Sequence, residues 1–200
     1  MKKRTKNPDL LKRCPWPKEN DPLSIAYHDK EWGVPIRDDK KLYEFLILEI
    51  FQAGLSWQTV LHKRQNFKKA FAGFNPQKVA AFTKHDVNRL LNDAGIIRNK
   101  LKIEAAINNA KKFWEAQKEF GSFSNYQWHF IGGKPIVHTI KILEDYPVKI
   151  KEAEVMASDM KKRGFTFLGP TILYAYMQAV GMVNDHAIDC FRYKQVKNKH

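Results

Sequence analysis

The stretch that decides the fold spans residues 38–57 and reads DDKKLYEFLILEIFQAGLSW. Its apolar residues share one helical face at three-and-four spacing: Leu42, Phe45, Leu46 and Ala53. That period is typical of an amphipathic helix. Asp38 and Asp39 are suitable N-cap residues, and Gly54 is a suitable C-terminal stop. The stretch predicts a core helix that ends at Gly54, followed by a second helix capped by Ser56.

The helical period continues through the rest of the chain. Capping residues, glycines and apolar spacing predict helices that begin near residues 75, 83, 99, 152 and 170. The helix from Thr83 is expected to end at Gly95, and a last helix to begin at Asn184 as its N-cap. Strand signals are nearly absent outside residues 133–137. The sequence therefore predicts an all-α fold.

Length and hydropathy point to a soluble, cytoplasmic protein. A chain of 200 residues with 44% hydrophobic content is long enough to bury one full core or two small ones. No apolar run is long enough to cross a bilayer, so no membrane partner is expected. The N-terminus begins with Met1, Lys2 and Lys3 and lacks the apolar segment of a secretory signal.

The charge balance suggests a nucleic-acid partner. The chain has 35 Lys and Arg against 21 Asp and Glu, a formal net charge of +14. Such an excess repels itself unless it meets a polyanion. A solvated basic surface is an equally good interpretation of composition alone. The 5 Trp, 7 Tyr and 13 Phe favour nucleic acid, because aromatic rings are stacking platforms for unpaired bases.

Two cysteines and two histidines form a candidate metal set. Cys14 and His28 lie near the N-terminus, and His186 precedes Cys190 by four residues on the predicted last helix. That spacing would put an imidazole and a thiolate on one helical face. By itself the signal is weak, and the two halves could be unrelated. If the site forms, a Cys2His2 shell has no open position, which predicts structural zinc that clips the two ends of the chain together.

A carboxylate falls on the apolar stripe of the first core helix. Glu49 shares that stripe, and burying its charge is costly unless something offsets it. One interpretation is a structural role, with an Arg or Lys partner or a helix rotated towards solvent. The other is a receptor for an organic cation, because Tyr27, Trp32 and Trp57 are close in sequence and aromatic faces attract positive charge.

A glycine turn joins the two helices after residue 83. Asp93-Ala94-Gly95-Ile96-Ile97 is followed by Arg98 and Lys100. Such a turn can present backbone N–H groups and basic side chains to a DNA phosphate. The simpler alternative is an ordinary helical hairpin with a glycine cap. Helix-hairpin-helix modules usually carry a second glycine where this chain has Ile97.

Taken together, these elements resemble the type I 3-methyladenine DNA glycosylases, a bacterial alkylation-repair family in the helix-hairpin-helix glycosylase superfamily. The resemblance covers residues 13–193 and rests on several motifs: RCPW at 13–16, DPL at 21–23, AYHD at 26–29, EWGVP at 31–35, QAGLSW at 52–57, DAGIIR at 93–98, KRGF at 162–165 and VNDH at 183–186. It implies an all-α helix-hairpin-helix glycosylase fold. The expected organisation is a basic tail at 1–12, one glycosylase unit at 13–193 with its helical core at 39–150, and a basic tail at 194–200.

The resemblance also implies residue roles. Glu49 falls on the family's pocket carboxylate, the four zinc ligands are Cys14, His28, His186 and Cys190, and the pocket aromatics are Trp16, Tyr27, Trp32 and Trp57. Gly54 and Leu55 are candidates to fill the gap left by a flipped base, and Gly95, Arg98 and Lys100 to contact DNA. The chain departs from the family at Ser24, where a tyrosine is common, and at residues 50–51.

The implied activity is hydrolysis of the N-glycosidic bond of 3-methyladenine in double-stranded alkylated DNA, with no lyase step. One structural Zn²⁺ and a monomeric state are expected with it. Two other function classes stay open on sequence. One is a zinc-stabilised DNA-binding module without catalysis, which would release no base. The other is a zinc hydrolase acting on a small molecule, which would need an exchangeable position on the metal.

Overall fold

The computed structural model describes residues 11–197, and this part of the chain is mainly helical. Its ten helices are α1 (Pro22–Lys30), α2 (Asp39–Gln52), α3 (Trp57–Ala70), α4 (Pro76–Ala80), α5 (Lys84–Leu91), α6 (Lys100–Phe120), α7 (Phe123–Trp128), α8 (Lys151–Lys162), α9 (Pro170–Ala179) and α10 (Phe191–Lys197). Two-residue strands β1 (Ile136–Val137) and β2 (Val183–Asn184) pair in parallel, with Ile136 opposite Val183. The all-α prediction holds apart from this short ladder, which includes only residues 136–137 of the predicted strand stretch at 133–137.

Helix α2 forms the centre of the core, as its apolar pattern predicts. Its N-cap Asp38 accepts a hydrogen bond from the backbone N–H of Lys41 at 2.8 Å. The helix packs against α3, α6, α7 and α9, so that most of its faces are buried. It ends at Gln52, two residues before Gly54, which takes a left-handed φ of +76° in the turn to α3. This turn brings the end of α2 next to the start of α3.

The long helix α6 is also confirmed. Asn99 caps its first turn, and Gly121 ends it with a left-handed φ of 78°. The capping box of Thr83 and Asp86 starts α5 as predicted. However, α5 ends at Leu91, and residues 92–99 form the turn into α6. The prediction that this helix continues to Gly95 is therefore wrong. Asn92 is the C-cap of α5, and its side chain donates back to the Asn88 carbonyl.

The last helix starts later than the sequence predicts. Asn184 was expected as its N-cap, but it belongs to β2, and α10 begins at Phe191. The Asn184 side-chain oxygen accepts from the backbone N–H of His186 at 3.2 Å. This local turn competes with helix formation, since Asn stabilises a turn as readily as a helix N-terminus.

Helices α1 and α7 were not predicted. Helix α1 has a clear local cause, because the Asp21 side chain accepts from the N–H groups of Leu23 and Ser24, and Pro22 occupies the first turn. Helix α7 is capped by Ser122.

The expected tails lie largely outside the described residues. Of the tail at 1–12, only residues 11 and 12 are described, and residues 198–200 of the C-terminal tail are likewise outside. Residues 194–197 of that tail lie in α10. Within residues 11–197, no helix is both long enough and apolar enough to span a bilayer.

Candidate active site and metal centre

A cavity of about 260 Å³ lies where α1, α2, α3 and α9 meet. Its lining residues are Trp16, Tyr27, Trp32, Glu49, Gln52, Trp57, Leu143, Tyr146, Ala175 and Gln178. The structure thus brings together the carboxylate and the four aromatic residues that were predicted to form one pocket. Most of these residues come from the four helices. Trp16 precedes α1, Trp32 lies in the turn after α1, and Leu143 and Tyr146 lie in the loop before α8.

Within the described part of the chain, Glu49 is the only acidic residue that lines this cavity. Only 4% of its surface is exposed, and it has no hydrogen-bond or ion-pair partner among residues 11–197. Burial raises the pKa of its carboxyl group from 4.5 to about 8. A cation inside the cavity would favour the ionised form, because an opposite charge at close range lowers the pKa of a carboxyl group.

Neither structural explanation for Glu49 applies. The side chain does not reach bulk solvent, and the arginine on the facing helix α3 is engaged elsewhere. Arg64 makes a two-pronged ion pair with Glu31, at 2.9 and 2.7 Å, and its Nε donates to Glu44 at 2.6 Å. The buried carboxyl group of Glu49 is therefore available to bind a ligand in the cavity.

Aromatic rings form the walls of the cavity. The rings of Tyr27 and Trp57 are 4.7 Å apart between centroids, and those of Trp16 and Trp32 are 5.0 Å apart. The buried indole N–H groups of Trp16 and Trp57 have no hydrogen-bond partner among the described residues. Flat rings around an acidic group make a good receptor for a planar organic cation.

The residues at which the chain departs from the family lie outside the cavity lining. The Ser24 hydroxyl is buried and accepts from the backbone N–H of Lys18 at 3.3 Å. Ile50 and Phe51 point into the core, where Phe51 packs on Phe67 at 4.7 Å. Because Ser24 does not line the cavity, this position contributes no aromatic wall to the pocket.

The four metal-type residues meet in one buried cluster. One ligand atom from each of Cys14, His28, His186 and Cys190 lies within 4.8 Å of all the others. Cys14 Sγ is 3.4 Å from His186 Nδ1, and Cys190 Sγ is 3.6 Å from His28 Nε2. Sulfur and nitrogen ligands on adjacent corners of a zinc tetrahedron stand about 3.5 Å apart. The cluster therefore fits one tetrahedral metal ion.

The surroundings of the cluster also suit a metal. His28 Nδ1 is 2.8 Å from the Asp29 carboxylate, and His186 Nε2 is 3.1 Å from the Trp32 carbonyl, so each imidazole is held by its other nitrogen. Backbone N–H groups of Ala187 and Arg192 donate to the sulfurs of Cys14 and Cys190. Burial lowers the pKa of His186, which keeps its imidazole neutral as a ligand requires.

The route by which His186 and Cys190 meet differs from the prediction. They were expected one turn apart on a helix, but both lie in the loop between β2 and α10. The loop is held by a bond from the Cys190 N–H to the Ala187 carbonyl at 2.8 Å. The predicted set of four is therefore brought together, while the helical-face argument for two of them is wrong.

Comparison with known proteins identifies the family. The family model for methyladenine glycosylases matches residues 16–193. The chain is 46% identical over 183 residues to DNA-3-methyladenine glycosylase 1 of Escherichia coli K12, which covers 92% of this chain and 97% of that protein. This chain belongs to the methyladenine glycosylase family.

Solved structures of this family have the same fold as this chain. A crystal structure of 3-methyladenine DNA glycosylase I superposes with a TM-score of 0.86 at 47% identity, over 90% of this chain and 98% of that one. The Staphylococcus aureus 3-methyladenine DNA glycosylase I, solved to explain its recognition of 3-methyladenine, superposes with a TM-score of 0.84 at 36% identity, over 87% and 93% of the two chains.

In this methyladenine glycosylase, the candidate plug, Gly54 and Leu55, lies in the turn between α2 and α3. We use the term for the residues expected to fill the gap left by a flipped base. Gly54 has open space where a side chain would project, and Leu55 exposes 43% of its surface. The Leu55 N–H donates to the Gln52 carbonyl at 2.7 Å, which fixes the turn against the end of α2. The plug thus adjoins the cavity through Gln52, which lines it.

The turn between α5 and α6 differs in detail from the predicted phosphate site. The Gly95 N–H donates to the Asp93 carboxylate at 2.8 Å, so it is already satisfied. A side chain at Gly95 would meet Asp93 at 2.9 Å and Asn66 at 3.2 Å, which explains the glycine. The N–H groups of Ile97 and Arg98 have no acceptor among the described residues and precede the N-terminus of α6.

The sequence did not predict five of the cavity-lining residues, which are Gln52, Leu143, Tyr146, Ala175 and Gln178, nor the burial of Lys102. Gln178 and Tyr146 line the cavity, and the ammonium of Lys102 lies buried beneath the end of α2. Lys102 gave a usable signal, because a lysine on the same helical stripe as Ala106 and Asn109 is out of place. Gln178 and Tyr146 gave none, since a polar residue at a helix end and a tyrosine in a loop are ordinary.

Proposed function

We propose that this chain is a DNA glycosylase that hydrolyses the N-glycosidic bond of 3-methyladenine in alkylated DNA. The observation that carries the proposal is the unpartnered, buried Glu49 in a cavity walled by Trp16, Tyr27, Trp32 and Trp57. Membership of the methyladenine glycosylase family supports it. The cavity volume of about 260 Å³ is large enough for one purine base.

Charge distinguishes the damaged base from the normal one. Methylation at N3 makes the adenine of the nucleotide a cation, whereas unmodified adenine is neutral. The aromatic faces of Tyr27 and Trp57 and the Glu49 carboxyl group all interact more favourably with the cation. Because the carboxyl group has a pKa of about 8 when alone, binding of the cation also draws off its proton.

The same charge makes the reaction easy. When the bond between the sugar C1′ and the base N9 breaks, its electron pair discharges the cationic base. Water then adds its hydroxyl group to C1′ and releases a proton. The protein supplies position and electrostatic stabilisation rather than strong acid catalysis. Among residues 11–197 no lysine lines the cavity, which is consistent with hydrolysis without a lyase step.

We propose that the substrate is duplex DNA with the lesion flipped into the cavity. Unstacking a base costs a few kcal/mol, and the exposed Leu55 next to Gly54 can fill the gap that remains. The free N–H groups of Ile97 and Arg98 at the start of α6 are suited to a phosphate. Arg98 and Lys100 are exposed beside them, and Gly95 contributes by letting the turn pack closely on α3.

We also propose that the Cys14, His28, His186 and Cys190 cluster binds one zinc ion. Four protein ligands leave no position for water, so the ion would act as a cross-link and not as a Lewis acid in catalysis. It would join α1 and the segment before it to the loop before α10. Residues 13–193 would then act as one unit, and we expect a cytoplasmic monomer.

An assay of free bases tests the proposal. The protein is incubated with methylated duplex DNA, and released bases are separated by chromatography. Release of 3-methyladenine with no strand cleavage is expected. DNA binding without any released base would instead establish a non-catalytic DNA-binding module, and hydrolysis of a small-molecule substrate that depends on the metal would establish a zinc hydrolase.

A further inference from the structure

Gln178 occupies a fixed position in the cavity wall. It lies in the last turn of α9, and its carbonyl oxygen accepts from the Gly33 N–H at 3.1 Å. Nearby, the Ile36 N–H donates to the Val180 carbonyl at 3.0 Å. A side chain at Gly181 would lie 2.2 Å from the Val34 backbone, so the end of α9 sits directly on the turn after Trp32. The backbone of Gln178 therefore has little freedom to move.

The orientation of the Gln178 amide is also fixed. Its Nε2 donates to Asp185 Oδ2 at 2.7 Å. Asp185 is fully buried and also accepts from the Tyr174 hydroxyl and from His138 Nδ1, the latter at 2.7 Å. A carboxylate surrounded by three donors acts only as an acceptor, so it holds the nitrogen of the amide and turns the oxygen away. The Oε1 atom has no partner among residues 11–197.

We propose that Gln178 is a specificity-determining residue whose amide oxygen reads the exocyclic amino group at C6 of the bound purine. This inference rests on the proposed function. Adenine carries a hydrogen-bond donor at C6, whereas guanine and hypoxanthine carry an oxygen there. A fixed acceptor favours the first and opposes the others, because two acceptors facing each other leave both unsatisfied. Asp185 acts on this contact as a positioning residue.

This contact adds a second kind of selection to the pocket. Glu49 and the aromatic rings respond to the charge of the base, which all N3-methylated purine nucleotides share. Gln178 responds to the direction of a hydrogen bond, which separates methylated adenine from methylated guanine. Gln52 is the other amide in the cavity. Its side chain has no hydrogen bond to any residue in the described range, so it can rotate to suit either partner.

The test uses free bases as ligands for the full-length, metal-loaded protein. Binding of 3-methyladenine and of 3-methylpurine, which lacks the amino group, is measured by tryptophan fluorescence for wild type, Gln178→Met and Gln52→Met. The wild-type preference for 3-methyladenine should fall about tenfold in Gln178→Met, as expected for one ligand hydrogen bond. The preference should persist in Gln52→Met, because that amide is not aimed by a carboxylate. An unchanged preference in Gln178→Met would overturn the inference.

A comparison in the wild-type protein does not depend on any variant folding. The protein should bind 3-methylhypoxanthine, with oxygen at C6, at least about tenfold more weakly than 3-methyladenine. Equal binding of the two bases would overturn the role of Gln178 while leaving the proposed function intact. Failure to bind 3-methyladenine at all would overturn the proposed function and, with it, this inference.

Discussion

The imidazole of His186 lies 3.1 Å from the backbone carbonyl of Trp32, through Nε2. The two rings are also in contact, with centroids 4.7 Å apart, and Trp16 lies 5.4 Å from His28. Two cavity walls therefore pack directly on two of the proposed metal ligands. A metal at the cluster would hold these imidazoles in place, and through them the tryptophans that face the base.

Removal of one thiolate should therefore disturb both stability and the pocket. Cys190→Ser is expected to lose bound zinc and, where free zinc exceeds its Kd about a thousandfold, to lose about 4 kcal/mol of unfolding free energy. Affinity for 3-methyladenine should fall as well, because Trp32 loses its support. Metal content, denaturation and base binding measure the three effects. His62→Ala, at an exposed histidine outside the cluster, is the control and should keep its zinc. Full zinc content in Cys190→Ser would contradict the assigned ligands.

Loss of the Glu49 charge should slow base release. Glu49→Gln keeps the size of the side chain but removes the anion, and kcat/KM for 3-methyladenine release is expected to fall by about 10- to 100-fold, or 1.4 to 2.7 kcal/mol. Glu44→Gln is the matched control, since Glu44 lies on the same helix but pairs with Arg64 outside the cavity. Release and zinc content are measured together. Unchanged release with intact zinc would remove Glu49 from the mechanism.

Stability should depend on pH through the same group. The pKa of Glu49 is raised by burial from 4.5 to about 8, so the folded state holds a proton that the unfolded state has lost. Wild type should therefore lose stability relative to Glu49→Gln as pH rises from about 4.5 to 8, by at most about 1.4 kcal/mol per pH unit. Urea denaturation of both proteins at pH 5, 7 and 9 measures the difference. Parallel pH curves would show that the carboxyl group is not desolvated.

The sequence predicts the central helix and the pocket because both depend on local patterns. The stripe along α2 places Glu49 in the core, and Tyr27 and Trp57 are close enough in sequence for adjacent helices to bring them together. The loop that carries His186 and Cys190 could not be predicted in the same way. Asn184 suits a helix cap and a turn equally well, and pairing with a strand 47 residues away decides between them.

The orientation of the Gln178 amide depends on tertiary contacts. Its amide is oriented by Asp185, which in turn is held by His138 and Tyr174. Each of these residues is ordinary in its own segment, and only their contact gives the amide oxygen a direction.

Helix α1 was missed for a different reason. Asp21 and Pro22 form a recognisable helix start, but the apolar pattern that follows is too weak to predict a helix.

The buried Lys102 should stabilise the end of α2. Its ammonium donates to the carbonyls of Phe51, at 2.9 Å, and Ala53, at 2.5 Å, which the helix leaves unpaired. Lys102→Met would leave both carbonyls without this donor and should cost about 1 to 3 kcal/mol of unfolding free energy. Chemical denaturation measures the loss. Lys100→Met is the control: it is exposed, so stability should change by less than about 0.5 kcal/mol while DNA affinity falls. Equal stability of the two variants would contradict the role of Lys102.

Leu55 should matter for duplex DNA and not for the base itself. Its side chain is exposed beside the cavity and can stack in the gap left by a flipped nucleotide, which lowers the cost of unstacking. Leu55→Ala is expected to reduce release of 3-methyladenine from duplex DNA by roughly tenfold, since a plug offsets only part of that few-kcal/mol cost. Binding of the free base should be unchanged, because Leu55 does not line the cavity. Val155→Ala, at a similarly exposed apolar residue on α8, is the control and should alter neither. If Leu55→Ala weakened free-base binding as much as duplex release, the residue would belong to the pocket, and the gap would have to be filled by another side chain.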